Sequence, residues 1–410
     1  MNFATSILIP DEIRFECTFC GNCCLAWPVP VTDPDIARIK GHLFESGRSS
    51  ELPLSTISTR EAASTKVFTH ALSKRRDGRC SFLSDEELCE LHDFAKPSMC
   101  RLFPYTFFAS PEGFRVGLSF ASTGVLKNSG RLLSAQKESL VELCGLFASL
   151  YGELAVLPEA PACVNLCHEF ALEYEQFLAV EKALHSDLLS ALREGTQSRS
   201  VLSILAAHSA QALGRLSASL PVTALVGESI DWYLLETYTQ AFFGLGSELS
   251  LLQEDDLIGR MTEHVARSAS GADDLALNLT LYEKHLSGPQ SIKSKLVLPF
   301  SVENLLLRFV YVRVFSRLYF GPGFSSLSYI AGLGHLALLV AIIRLSLYAF
   351  VDSLKGGFFD QEDEILQEAM RLLAIVDRKW TALSYSRNGQ SMLELLFLDR
   401  ERLARLRDLL

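Results

Sequence analysis

The sequence predicts an α+β chain that is mostly α: a small cysteine-rich domain with short strands over residues 1–130, then a large all-α domain over residues 131–410. Three observations carry this. Seven of the ten cysteines fall between Cys17 and Cys100, among turn-forming residues and short apolar runs. Past Gly130, apolar residues recur at intervals of three and four with few strand signals. The chain is 49% apolar with a mean hydropathy of +0.20, which requires a large buried fraction rather than disorder.

Taken in order, Ile13 to Glu16 alternates like a short strand, and Pro28-Val29-Pro30-Val31 is extended because proline fixes φ and lacks a donor. Thr32 or Asp33 caps a helix whose first turn suits Pro34 and whose apolar residues are Ile36, Ile39 and Leu43. Glu45 to Thr59 reads as a surface loop and Val67 to Leu72 as an extended piece. Asp77-Gly78 is a turn, and Cys80 to Leu83 and Cys89 to His92 are short strands around the polar Ser84 to Glu87. Pro104 to Ala109 and Phe114 to Phe120 form a hairpin across Ser110-Pro111-Glu112-Gly113, the second strand alternating apolar and polar. The cysteine domain ends near Ser129-Gly130.

Helices follow over Ser134–Glu153, His168–Arg193, Ser198–Ser217, Ser229–Leu245, Gln253–Ala269, Asp273–Leu286, Val302–Phe320, Ser325–Leu354, Asp360–Leu383 and Ser391–Leu409. The most apolar piece is Leu327 to Ile343, seventeen uncharged residues closed by Arg344, against the ~20 needed to span a bilayer. A helical hairpin with Val302 to Phe320, forming the core of the α domain, is favoured over membrane contact. His335 and Arg344 are expected where that bundle admits water or a carboxylate.

The chemistry concentrates in Phe15-Glu16-Cys17-Thr18-Phe19-Cys20-Gly21-Asn22-Cys23-Cys24 and in a second arm bearing Cys80, Cys89 and Cys100. A disulfide framework suits short secreted chains; 410 residues, with neither a basic nor a long apolar segment in Met1 to Pro10, read instead as a protein of the reducing cytoplasm. Clustered thiols there point to thiolate ligation of zinc, an iron–sulfur cluster or copper(I). Candidate ligands are Cys17, Cys20, Cys23, Cys24, Cys80, Cys89 and Cys100. C-x2-C lets two sulfurs of one tight turn face one ion, and Gly21 offers the positive φ such a turn needs. Cys23 and Cys24 are adjacent, so one of them serves a second ion or stays beside the ligand set. The run lacks the proline-flanked fourth cysteine of a bacterial ferredoxin and is not the C-x3-C-x2-C loop of radical S-adenosylmethionine enzymes.

Around these thiols, His92 follows Cys89 by three and is weighed as a ligand against packing or a hydrogen bond to a thiolate. Arg101, beside Cys100, is a candidate cofactor-binding residue that neutralises thiolate charge. Cys163-x3-Cys167-His168 aligns its sulfurs only if a helix has begun after Pro161, and a packing role is favoured. Cys144 belongs to a helical apolar face.

The spacing Phe15-x-Cys17-x2-Cys20-Gly21-x-Cys23-Cys24, then Gly78-x-Cys80-x-Phe82-Leu83, Cys89-x-Leu91-His92 and Pro97-x2-Cys100-Arg101-x-Phe103-Pro104, resembles the CxxCxxCC (YkgJ-like) zinc- or iron-chelating family over roughly the first 125 residues. The helical part resembles the C-terminal region of flagellin lysine N-methylases. Relatives often carry a further cysteine after the Gly-x-Arg-Val strand, where this chain reads Ser119-Phe120-Ala121-Ser122-Thr123. If that cysteine is a ligand elsewhere, the site here has lost a donor or replaced it by water or a hydroxyl.

A formal charge of −10 and a pI near 5.5 argue against a general nucleic-acid binder, and Lys74-Arg75-Arg76 reads as a solvated loop. No phosphate loop, dinucleotide fingerprint, zincin helix or nucleophile elbow is present. The expectation is therefore a metal-binding protein. Iron is favoured over zinc, because seven thiolates exceed one tetrahedral zinc site. A protein partner is expected through the helical domain. The resemblance implies an alternative, a protein lysine N-methyltransferase using S-adenosylmethionine. A metal carrier or membrane-associated factor is a third.

Overall fold

The structure is a computed structural model that describes residues 7–22, 24, 29–47, 52–56, 67–68, 70–195, 200–215, 228–244, 298–354 and 361–409. It divides into two compact units, Met1–Glu159 and Ala160–Leu410. The fold is α+β and mostly α, with the small sheets early and the long helices late. Elements are numbered here among the described residues.

The first unit contains two three-stranded sheets. In one, β1 (Ile7–Leu8) lies parallel to β6 (Gly113–Leu118), which pairs antiparallel with β5 (Tyr105–Ser110) across the turn Pro111-Glu112. The expected hairpin is present, but β6 does not alternate. It is the middle strand and all six of its residues are buried. Arg115 tolerates this because its guanidinium pairs with Glu112 at 3.1 Å. In the second sheet, β4 (His70–Leu72) sits between β2 (Val29–Val31) and β3 (Leu54–Thr56). Strand β3 lies inside the stretch read as a loop: Ser-rich composition does not announce a three-residue strand whose pairing comes from β4.

Helix α1 (Asp33–Glu45) begins at Thr32, whose hydroxyl accepts from the Asp35 amide while the Asp35 carboxylate accepts from the Thr32 amide. Helix α2 (Ser98–Leu102) carries Cys100, and α3 (Thr123–Lys127) and α4 (Lys137–Tyr151) complete the unit. Ile13 to Glu16 forms no strand; it makes a single bridge, Arg14 to Leu132, flanked by bonds from the Phe15 amide to the Arg131 carbonyl at 3.1 Å and from the Leu133 amide to the Ile13 carbonyl at 2.9 Å. That pairing, and the Phe147 ring 5.6 Å from Phe107 of the hairpin, hold residues beyond Gly130 to the cysteine arms. The compact unit accordingly runs to Glu159.

The second unit opens on a hairpin, β7 (Cys163–Cys167) with β8 (Phe170–Glu173). Cys163 and Cys167 are therefore in a strand and not at a helix start. The predicted helix from His168 begins only at Tyr174, as α5 (Tyr174–Glu194), because Val164 and Leu172 pair across the sheet first. Then come α6 (Val201–Gly214), α7 (Glu228–Phe243), α8 (Phe300–Phe315), α9 (Tyr329–Ser353), α10 (Glu362–Ala382), α11 (Arg387–Phe397) and α12 (Arg402–Leu409). The predicted helices Gln253–Ala269 and Asp273–Leu286 lie outside the described residues.

The unit is organised around α9, packed by α6, α7, α10, α11, α12 and β7 and joined to α8 by an ion pair. Gly334 makes part of this possible, since a Cβ there would stand 2.0 Å from the Phe397 ring of α11. By length and composition α9 suffices to cross a membrane over Tyr329–Val351, and 89% of its most apolar window is buried in the unit. Arg344 ion-pairs with Glu303 of α8, as a buried cation requires. His335 departs from expectation: its ring lies among Phe324, Trp380, Tyr385 and Tyr238 at 5.1–5.7 Å, and burial pushes its pKa down to about 3. It is a neutral member of an aromatic cluster. Among the described residues neither of its ring nitrogens has a hydrogen-bond partner.

Candidate metal centre

The first arm turns sharply at its cysteines. Phe19 (φ 51°) and Gly21 (φ 64°) are both left-handed and bracket Cys20, so the chain reverses between Cys17 and Cys24. The need for positive φ at Gly21 is met as anticipated; the same conformation at Phe19, a non-glycine residue, was not legible. A Cβ on Gly21 would stand 3.3 Å from a Leu83 methyl, so glycine also lets the second arm close on the first.

The second arm is folded by two bridges, Lys74 to Cys80 and Leu83 to Cys89, and not by the two strands read from sequence. Each four-residue run makes one isolated bridge and no ladder. The arms meet where the Cys80 amide donates to the Cys24 carbonyl at 3.1 Å. Lys74 donates its ammonium to that same carbonyl, and Arg75 reaches the Leu83 carbonyl and Asp85. Lys74-Arg75 thus ties the second arm together rather than forming a solvated loop.

Beneath both arms lies one apolar cluster of Val29, Val31, Ile39, Leu43, Leu72, Cys80, Phe82, Leu83, Leu91 and Ala95. Cys80 is buried within it, and Cys24, Cys89 and Cys100 pack against it half-buried. Four candidate thiols from positions as distant as Cys24 and Cys100 therefore share one cluster. Cys20 is half-buried and Cys17 exposed; Cys23 lies outside the described residues. The described cysteines are not joined to one another by disulfides. Among the described residues no three Cys, His, Asp or Glu side chains close on a common point. The donor chemistry nonetheless fits a thiophilic metal, since clustered thiolates suit zinc, iron and copper(I) better than hard cations.

The helix of Cys100 is positioned by Asp35, a residue that the sequence reading did not single out. Asp35, fully buried, accepts from the Ser98 amide at 3.0 Å and the Ser98 hydroxyl at 2.8 Å, fixing the start of α2 against α1, while Arg38 pairs with it from outside at 2.5 Å. Burial alone would raise the pKa of this carboxyl; hydrogen bonds from Thr32 and Ser98 outweigh burial and hold it below 3.8. Its stabilising effect is therefore present above pH 3.8 and lost as pH falls through the lower folded value. Asp35→Ala is expected to destabilise the first unit by about 1–3 kcal/mol, since the Ser98 and Thr32 donors are left buried and unpaired. Denaturant unfolding at pH 7 checks the loss. Asp35→Asn should flatten the acid limb of the unfolding curve below pH 4.

The His92 ring lies 4.8 Å from the exposed Phe19 ring, tilted 58° to it, which accounts for it as a packing partner of the knuckle. Burial, then the Lys96 charge, lower its pKa. Arg101 is exposed and lines a cleft with Arg38, His92 and Lys96. In the second unit Cys163 is exposed and Cys167 buried, with burial raising the Cys167 thiol. Cys144 is fully buried on α4, its thiol pushed up to about 12.

Two cysteine arms thus meet on one apolar cluster, an arrangement that suits a small thiol-bearing chelating domain. Residues 16–122 match the CxxCxxCC family, whose description reads "Putative zinc- or iron-chelating domain", and the first unit carries a domain of that family. No curated protein and no solved structure matches the chain. The flagellin lysine N-methylase likeness of the helical part rests on the sequence reading alone.

Proposed function

We propose that this is a cytoplasmic protein whose first unit holds iron, as an iron–sulfur cluster, on the thiolates of its two arms, with the helical unit serving a protein partner. The observation that carries the proposal is the convergence of Cys24, Cys80, Cys89 and Cys100 on one apolar cluster, with the turn that bears Cys17 and Cys20 preceding Cys24 in the chain. That is more sulfur than one tetrahedral zinc uses, and a cluster draws on several thiolates at once. The residues' own part is to present sulfur, exclude water and moderate charge: the Leu83 and Leu91 side chains shield the thiols, and the Lys74 ammonium lies beside Cys24. Bound iron would supply electron-transfer or structural capacity.

The test is anaerobic purification followed by metal and acid-labile sulfide analysis and a visible spectrum. Iron with comparable sulfide and broad charge-transfer absorption is the expected result. One zinc per chain without sulfide would replace the iron reading by a structural zinc.

A further inference from the structure

On the side of the first unit where Arg101 projects, Arg38 of α1, the His92–Lys96 turn, Arg101 of α2 and Leu143 of α4 surround an open cleft of about 440 Å³, within the size range of small-ligand sites. Its charge runs against that of the chain. Three permanent cations, Arg38, Lys96 and Arg101, face one lining carboxylate, Asp93, in a protein of net charge −10. Arg38 is fixed in place, paired with buried Asp35 and donating to the Lys96 carbonyl at 3.0 Å. Neither Lys96 nor Arg101 forms an ion pair among the described residues, so their charge is available across the cleft.

The cleft also offers a ring. Phe94 is 72% exposed, yet it is not loose: His42 stacks on it at 5.1 Å with the planes 11° apart, holding one face and leaving the other open. Convergent cations beside an oriented aromatic face match a ligand that joins a multiply charged anion to a planar ring, because each half satisfies one feature. We propose that this cleft binds a nucleoside phosphate, its phosphates on Lys96 and Arg101 and its base against Phe94.

The test is calorimetric titration of the metal-loaded full chain with ADP, with pyrophosphate as the ring-free probe. Saturable ADP binding is expected, weakened at least tenfold by Lys96→Ala and by Arg101→Ala at unchanged metal content and circular dichroism. Arg101 adjoins Cys100, so Lys96→Ala serves as the variant remote from the thiols. Phe94→Ala should weaken ADP several-fold and leave pyrophosphate unaffected. ADP that fails to bind, or binds equally to both charge variants as it would through the metal alone, overturns the proposal. Pyrophosphate binding as tightly as ADP, with no effect of Phe94→Ala, overturns it as well.

Discussion

Cys100→Ser and Cys20→Ser are each expected to lower the bound metal and unfold the first unit while the second stays helical. The candidate ligands come from two arms separated by more than fifty residues of chain, and the contacts described above between the arms are a backbone bond from Cys80 to Cys24, the Lys74 contact, the leucine packing at Gly21 and the Phe19–His92 ring contact. A unit with such small sheets depends on its staple. Metal binding and folding then share one free energy, on the order of 10 kcal/mol for structural zinc in finger peptides, and losing one ligand forfeits a large part of it. Metal analysis together with thermal unfolding followed by circular dichroism makes the measurement. The expected outcome is loss of one transition, that of residues 1–159, with most of the helical signal retained. Unchanged metal stoichiometry in both variants would sink the ligand assignment.

Leu338→Asp should abolish folding of the second unit. Leu338 is fully buried in α9, which is packed by five helices and a strand. Among the described residues the buried Arg344, Arg313, Arg317 and Arg402 are each already paired, with Glu303, Asp377, Glu181 and Asp231 respectively. An unpaired buried charge costs several kcal/mol, comparable to the whole stability of a domain. Limited proteolysis of the variant should cut throughout residues 160–410. The same helix has the length to cross a membrane, so wild-type protein is to be fractionated in parallel. Retention in the membrane pellet after a carbonate wash would replace core burial by membrane insertion, and Leu338→Asp would then act through insertion instead.

Local signals in this chain were read where they are self-contained. The Thr32–Pro34 cap, the hairpin around Pro111-Glu112, the positive φ at Gly21, the long helices and the cysteine spacing that matches the CxxCxxCC family each depend on a few neighbouring residues, and each is visible in the sequence. Errors arose where a partner outside the segment decides. Cys163 to Cys167 suits a helical start by spacing, but Phe170 to Glu173 pairs with it as a strand. Ser391 to Leu409 keeps helical periodicity, yet it is two helices: Arg402 donates to the Leu396 carbonyl at 2.7 Å and pairs with buried Asp231 of α7, breaking the run near Asp399.

The sequence by itself determined the fold class, the order of most elements and the presence of a zinc- or iron-chelating domain, because periodicity, caps and ligand spacing are properties of short segments. The tertiary structure alone decided that Asp35 anchors the helix of Cys100, that five helices and a strand pack on α9, and that Arg38, Lys96 and Arg101 share a cleft. Those arrangements join residues tens to hundreds of positions apart, and the free energy that selects them comes from burial and pairing across the fold, which no local pattern encodes.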